Sequence, residues 1–451
     1  MELLTVFTWL GIAVLLVAAV VAVVVLRRTH TEQSNPIDTA KALAVAKASG
    51  IRSLGRVWVV VNPTKPPDLA LFKEEVDAAV VAMTGEPASW IETSIQDPGT
   101  GQAITALKSK PKVVIAAGGD GTVRAVAAGM AHSGVPMALL PMGTGNLLAR
   151  NLGIPLELDA ALGTALSPVS RRMDLAWLKA GSVDKASQLP AEGMLLQEAD
   201  AKSVRSLRPG AVEPSRDEYA FTVIAGVGFD GQTMADTDPN LKKRIGWSAY
   251  VVAATKSLRR ERMKATVTIY RDREEKTYRP KWRRSLPAAL EEAVHQSHTL
   301  GAEQGVLPAD ESDETRERTK LQARTILFAN CGVLPFAVLA PDASLDDGKM
   351  DVITIDTRGG LLGWALLSAK VFGQSAGLKP VNVKNDLGMI QFRQAGAARV
   401  DLARAQPIQV DGDPIGSART VRVRVDPGAL VVRVPRSSVE APVDAGQPAT
   451  S

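Results

Sequence analysis

The apolar and polar positions of this chain fall into three successive textures. The first is an unbroken apolar run over 3–26, rich in Val, Leu and Ala and without a charged residue. That length crosses a hydrocarbon core of about 30 Å as a single helix. Arg27 and Arg28 follow at once, then Lys41, Lys47, Arg52 and Arg56, so the positive-inside rule places everything after the run in the cytoplasm. The expectation is a single-pass anchor in the cell membrane over 1–28, with a partly helical juxtamembrane linker over 29–56. A cleaved signal peptide is the rival reading, but the run has no basic residue ahead of it.

The second texture alternates short apolar runs with helically spaced ones. A buried strand is expected over 57–61, an amphipathic helix over 69–83, a strand over 89–95, and a strand over 113–117 buried on both faces. Gly118-Gly119-Asp120-Gly121-Thr122 breaks that last run, after which Val123, Val126, Ala127 and Met130 take helical spacing with Thr122 placed as N-cap. A strand over 137–140 follows, ending in Pro141-Met142-Gly143-Thr144-Gly145-Asn146. Strands alternating with helices imply a parallel sheet with helices on both faces, which puts the three strand-end loops on one edge. The third texture begins near 171 and consists of strand-like runs over 173–178, 219–225, 265–270, 325–329, 351–355, 421–425 and 430–434. These predict a mainly antiparallel β domain over 172–435. Polar insertions interrupt it near 181–217 and 271–320, the second read as mobile, and a disordered tail follows over 436–451.

Composition narrows the class. Aromatics make up 4% and the net charge is +5, too little of either for a base-stacking or basic nucleic-acid surface, so no nucleic-acid partner is expected. A single cysteine, Cys331, forbids an internal disulfide. The four histidines are scattered, and His295 and His298 lie in a polar stretch that reads as a solvated face.

The 118–122 loop carries the chemistry. Strand, glycines and helix start aim free backbone N–H groups at an anion, and glycine lets the backbone approach phosphate oxygens closely. Asp120 within such a cradle calls for a cation between it and the phosphate, with Mg²⁺ the natural candidate. The loop is not a Walker A motif, because no Gly-Lys-Ser/Thr follows it. Gly226-Val227-Gly228-Phe229-Asp230-Gly231 matches a dinucleotide fingerprint in letters, but no βαβ unit surrounds it.

Five motifs in order, GGDGT (118–122), PMGTGN (141–146), GVGFDG (226–231), LDDGKMD (345–351) and QVDGD (409–413), resemble the diacylglycerol kinase catalytic family. The resemblance implies an α/β nucleotide-binding domain over 57–171, a β-sandwich lipid-binding domain, an active site in the cleft between them, and last strands returning to the first domain. It implies ATP and Mg²⁺ as cofactors and a membrane lipid as substrate. By position it assigns the nucleotide to Asn62, Pro63, Thr64, Lys65, Pro66, Thr93, Gly118, Gly119, Asp120, Gly121, Thr122, Val123, Arg124, Thr144, Gly145 and Asn146. It assigns a structural Mg²⁺ to Asp347 with main-chain oxygens near Ser344 and Lys349, and the substrate's proton to Asp413, with Asp411 the nearest competitor. The chain departs from the family pattern at Lys65-Pro66, which replace Ser-Gly, and at Arg124-Ala125, which replace Asn-Glu. It also has Leu147 where an acid is usual and Asp413 where a glutamate is usual. The stretch 247–258, bordered by Lys242, Lys243, Arg244, Arg259 and Arg260, reads either as a helix lying on anionic headgroups or as a solvated helix covering the β domain. A homo-oligomer is compatible with the sequence. The expectation is an ATP-dependent lipid kinase acting on diacylglycerol. The alternatives are a kinase for a soluble substrate such as NAD, and a catalytically weak membrane-anchored binding module.

Overall fold

The computed structural model describes residues 56–181, 189–208, 211–228, 262–271, 316–334, 337–338, 340, 343–357 and 388–438. The apolar run 3–26, the linker over 29–55, the basic-bordered segment 242–260, residues 182–188 and 209–210 of the first insertion, most of the second and the tail beyond 438 lie outside the described residues. The anchor, its orientation and the headgroup-binding helix belong to those segments. Among the described residues, no helix is long and apolar enough to cross a membrane.

The first part alternates β1 (Val57–Val61), α1 (Leu69–Thr84), β2 (Ser89–Glu92), α2 (Thr100–Lys108), β3 (Val113–Gly118), α3 (Asp120–Met130) and β4 (Met137–Pro141). The four strands are parallel and in register, Trp90 beside Val59, Val59 beside Ile115, and Ile115 beside Ala138. Matched registers end the strands together, so the loops after β1, β3 and β4 meet at one sheet edge. In α1, Phe72, Val76 and Val80 recur every four residues and are buried, while the Asp68 carboxylate caps the helix by accepting from the Ala70 and Leu71 N–H groups. The helix α2 has no counterpart in the sequence reading. It packs on α3 so closely that a Cβ on Gly129 would stand 2.6 Å from the Thr100 carbonyl oxygen.

Two short helices, α4 (Leu147–Asn151) and α5 (Leu158–Ala165), lead to β5 (Ser170–Gly181), then α6 (Glu192–Glu198), β6 (Glu218–Phe221), β7 (Ile224–Val227), β8 (Met263–Tyr270), β9 (Arg316–Ala323) and β10 (Thr325–Ala329). A small hairpin, β11 (Val333–Leu334) with β12 (Ala337–Val338), precedes β13 (Met350–Thr357), β14 (Gly388–Ala395), β15 (Ala397–Val410) and β16 (Asp413–Arg433). These later strands pair antiparallel with one another. The last strand joins the two textures. Its end runs antiparallel to β5 and, at Val432, parallel to Met137 of β4, so fourteen of the described strands form one continuous sheet. Two cores flank this junction. One packs helices on the parallel strands, with Val114, Val126, Met130, Leu139, Trp177 and Leu430 buried. The other is lined by strands alone, including Phe221, Val227, Ile269, Phe328, Val352, Val400 and Val421.

Several expected boundaries move. The run 219–225 is two strands rather than one, because the N–H groups of Thr222, Val223 and Ile224 turn out of the ladder to a carboxylate, that of Asp411. The runs 421–425 and 430–434 are one strand with a bulge at Asp426. The far end of the second insertion is strand β9, where Arg316, Arg318, Lys320 and Gln322 occupy the exposed face and Thr319 and Ala323 are buried. Charge fills its solvent side, and the inner side, with Glu317, Thr319, Leu321 and Ala323, has too few large apolar residues to announce a strand. The first insertion contains α6.

Candidate active site

The three loops at the parallel edge are tied together by backbone. The Asn62 N–H donates to the Ala117 carbonyl at 2.9 Å, and the Asn62 side-chain oxygen accepts from Thr64 N–H and its hydroxyl, at 3.1 and 2.8 Å. This Asx turn holds Pro63, Thr64 and Lys65 over the edge, with Pro66 buried behind them. Thr93 N–H donates to the Val61 carbonyl, placing Thr93 beside the same turn. The glycine loops touch each other: a Cβ on Gly143 would lie 2.8 Å from the Gly119 Cα, and one on Gly119 would lie 3.7 Å from the Lys65 Cε. Side chains at either position would fill the cradle. Asn146, at φ 47°, brackets Gly143 by accepting from its N–H at 2.8 Å and donating to its carbonyl at 2.7 Å, which leaves Thr144 exposed at the loop's tip.

Helix α3 starts three residues earlier than expected. Gly119 occupies the N-cap position, and Thr122, expected there, lies in the first turn, where its hydroxyl accepts a 3.5 Å bond from Asn62. Asp120, the first helical residue, reaches across to the other glycine loop. Its two oxygens accept from the N–H groups of Asn146, at 3.0 Å, and Leu147, at 2.6 Å. Burial raises the Asp120 carboxyl to about 6, with the charges of Asp411 and Asp413 pushing the same way and the two N–H groups opposing. Asp120 therefore clasps the two glycine loops together.

A second carboxylate comes from the β15–β16 hairpin. Val410 pairs with Asp413, so the turn is Asp411-Gly412, both left-handed at φ 46° and 90°, the two-residue hairpin turn that such a pair favours. Asp411 is buried and accepts four bonds, from Thr222 N–H and hydroxyl, Val223 N–H and Ile224 N–H. Expected as a catalytic candidate, it is an anchor for the turn, with its acceptor sites taken by the β6–β7 corner. Asp411→Ala orphans the buried N–H groups of Thr222 and Val223, at about 1–3 kcal/mol each, and the half-buried one of Ile224, so the urea midpoint should fall sharply. A variant as stable as the wild type would refute the anchor role. Asp413 emerges on the other side of the turn. Its Oδ2 lies 3.0 Å from where a Cβ on Gly121 would be, above the first turn of α3.

Arg124, expected among the nucleotide contacts, points the other way. It is buried, its Nε donates to Glu192 Oε1 at 3.0 Å, and its Nη1 donates to the Val410 carbonyl and to Asp413 Oδ2, both at 2.9 Å. Burial disfavours this cation, but Glu192, Asp413 and Asp411 outweigh it and hold the guanidinium firmly charged. Glu192, on α6, also accepts from Ala220 N–H at 3.1 Å. Nothing in the motif order pointed to Glu192, one of several acids in an insertion.

The residues expected to hold a structural cation form a separate turn. Asp347 accepts from Lys349 N–H at 2.9 Å, while Ser344 donates to Asp346, which pairs with Arg171. Facing them is Asp174, buried and accepting from the N–H groups of Gly348 and Gly428 at 2.7 and 2.6 Å. Burial raises Asp347 to about 6 and Asp174 to about 7, with neighbouring aspartates adding to both. Two desolvated carboxylates side by side fit a cation, although among the described residues no group of three or more His, Cys, Asp or Glu forms a cage. The one signal for Asp174 was a charge inside the apolar run 173–178.

Residues 56–178 match the family model of the diacylglycerol kinase catalytic domain. This segment is similar to that catalytic domain. It contains the β1, β3 and β4 loops and ends inside β5, so Glu192, Asp411 and Asp413 come from beyond this catalytic-domain match. A Pseudomonas aeruginosa protein named a YegS-like probable lipid kinase is 26% identical over 369 residues, 81% of this chain and 91% of that one. A Staphylococcus aureus diacylglycerol kinase is 32% identical over 124 residues, 27% of this chain and 39% of that one. An uncharacterized Synechocystis protein is 24% identical over 324 residues, and the match spans about half of its length, 54%. Among solved structures, a candidate diacylglycerol kinase from Bacillus anthracis shares the fold, with TM-score 0.54, 15% identity, and coverage of 86% of this chain and 98% of that one.

Proposed function

We propose that the chain is an ATP-dependent lipid kinase that transfers the γ-phosphoryl group to a lipid hydroxyl, converting diacylglycerol to phosphatidate. The observation that supports this most directly is Asp413, a carboxylate held over the first turn of α3 where two glycine loops meet. The N–H groups of that turn have no acceptor within the helix and favour an anion, and Lys65 stands beside Gly119. Bound ATP with its magnesium supplies the phosphoryl group and the neutralisation of its charge. The chain supplies position and a base. Arg124 occupies Asp413 Oδ2, so Oδ1 is the atom available to take the hydroxyl proton as the lipid O–P bond forms, the β–γ bond breaks and ADP leaves. Lipid would be met at the cytoplasmic face of the membrane, with 3–26 as anchor and 242–260 against the headgroups.

A catalytically weak binding module is the second reading, favoured by the ion pair on Asp413 and by Asp120 having both oxygens bonded to N–H groups. ATP turnover by the full chain in mixed micelles decides between them, with diacylglycerol, a long-chain base and NAD compared as acceptors. Diacylglycerol-dependent ADP release is expected. ATP binding without turnover on any acceptor would favour the binding module, and turnover on NAD alone would overturn the lipid assignment.

The Asp347–Asp174 turn carries a companion proposal of a structural Mg²⁺. Saturating Mg²⁺ should raise the melting temperature, by the mass-action stabilisation of the folded state. In Asp347→Ala that increment should vanish; an unchanged increment would refute the site.

A further inference from the structure

We propose that Arg124, backed by Glu192, is a positioning residue that fixes the Asp413 carboxylate over the first turn of α3; the inference rests on the phosphoryl-transfer reading above. The geometry is that of a strut. Arg124 leaves α3 four residues after Asp120 and ends on both sides of the hairpin turn, on the Val410 carbonyl and on Asp413 Oδ2. One guanidinium nitrogen bridging the residues that flank Asp411-Gly412 sets the height and tilt of the hairpin tip relative to the glycine loop. The exposures separate the roles. The Arg124 side chain is 2% exposed and that of Asp413 40%, so the arginine is withheld from any ligand while the carboxylate it holds is presented.

A buried guanidinium costs several kcal/mol in lost hydration unless it is paired and hydrogen-bonded. A half-exposed Asp413 meets only part of that need. Glu192, 1% exposed and 3.0 Å from Nε, supplies the rest from behind. Its second oxygen is bonded to Ala220 N–H, two residues before Thr222, whose N–H holds Asp411. Glu192, Arg124 and Asp411 thus tie α6, α3 and the β6–β7 corner to one hairpin. Aspartate is one methylene shorter than glutamate, so a base of this length tolerates little drift, and misplacement of a reacting group by about 1 Å can cost about 10²-fold.

The test uses the full chain in diacylglycerol micelles with Arg124→Met, Arg124→Lys and Glu192→Gln, each also made in an Asp413→Asn background. Arg124→Met should lower kcat by roughly 10- to 100-fold with the KM for ATP nearly unchanged, and Arg124→Lys should recover part of the loss. In the Asp413→Asn background Arg124→Met should cost less than about twofold more, because residues acting as a unit are not additive. A raised KM for ATP, or a full multiplicative loss in that background, would place Arg124 on the nucleotide and overturn the proposal. Should Arg124→Met fail to fold, Arg124→Met with Glu192→Met removes both buried charges and replaces it. Hydrogen exchange needs no activity. Amides of 410–415 should exchange faster in Arg124→Met, or in the double variant, while those of β1 and β3 stay as in the wild type; unchanged exchange at 410–415 would also overturn it. A wild type that turns over no acceptor removes the proposed function, and the exchange result still decides the strut.

Discussion

Replacing Asp413 by asparagine should lower kcat by about 10²- to 10⁴-fold, the usual worth of a positioned base, with little change in the KM for ATP. Asparagine keeps the shape, and its side-chain oxygen can still accept from Arg124, so the hairpin and the glycine loop should stay where they are. What is lost is the basic oxygen at the Oδ1 position, which becomes an amide that cannot take a proton. Among the described residues Asp413 is held from one side, by Arg124, whereas Asp411 is saturated by four bonds from the β6–β7 corner. Asp411→Asn should therefore appear first as a loss of stability, since its amide would face N–H groups. Steady-state kinetics together with urea denaturation separate the two. An Asp413→Asn enzyme with near-wild-type kcat, beside a folded but inactive Asp411→Asn enzyme, would exchange the assignments.

The parallel half of the fold was legible because β1, β3 and β4 are largely buried and read as continuous apolar runs ended by glycine and proline. The loops at 62–66, 118–122 and 141–146 had to share an edge once those strands were parallel, and they do. The helix α2 was hidden because its apolar face is built from Ala103, Ile104 and Leu107 between glycines and threonines, a weak helical signature. Strand β9 was hidden by charge on its solvent side. The misplacement of Arg124 has a different cause. A motif fixes the backbone path of a loop, and the residues that must be small, but a long side chain four residues into the helix is free to turn away. Its direction is decided by where an opposite charge is buried, and Glu192 lies 68 residues downstream in a segment that carries no motif. Asp120 shows the same limit. Its position in a phosphate loop suggested a metal, whereas its contacts are to the N–H groups of the neighbouring loop, a pairing that only the tertiary fold brings together.

Asp120→Ala should reduce phosphoryl transfer by about 10³-fold or more, because it removes the clasp on which the electrostatic cradle depends. The N–H groups of Asn146 and Leu147 lose their acceptor, at about 1–3 kcal/mol each if they stay buried, and relief comes by moving the 141–146 loop away from Gly119. Both the KM for ATP and kcat should suffer, which distinguishes Asp120 from Asp413. Asp120→Asn should fall between, since its amide oxygen can accept from one N–H but its nitrogen opposes the other. The pH dependence follows from the carboxyl standing near 6 in the folded chain against an ordinary value of 3.8. Between about pH 4 and pH 6 the folded chain holds a proton that the unfolded chain has released, so this group's contribution to stability is greatest below that window and is lost as pH rises through it. Activity should run the opposite way, because the protonated carboxyl cannot accept from both N–H groups, and turnover should fall as pH drops below about 6. Urea midpoints and turnover at pH 5 and pH 7, in wild type and Asp120→Ala, check both. The variant should show a flatter stability profile across the window. If it keeps more than about a tenth of the wild-type activity, far above the loss expected when such a cradle is disrupted, Asp120 does not hold the loops together for catalysis.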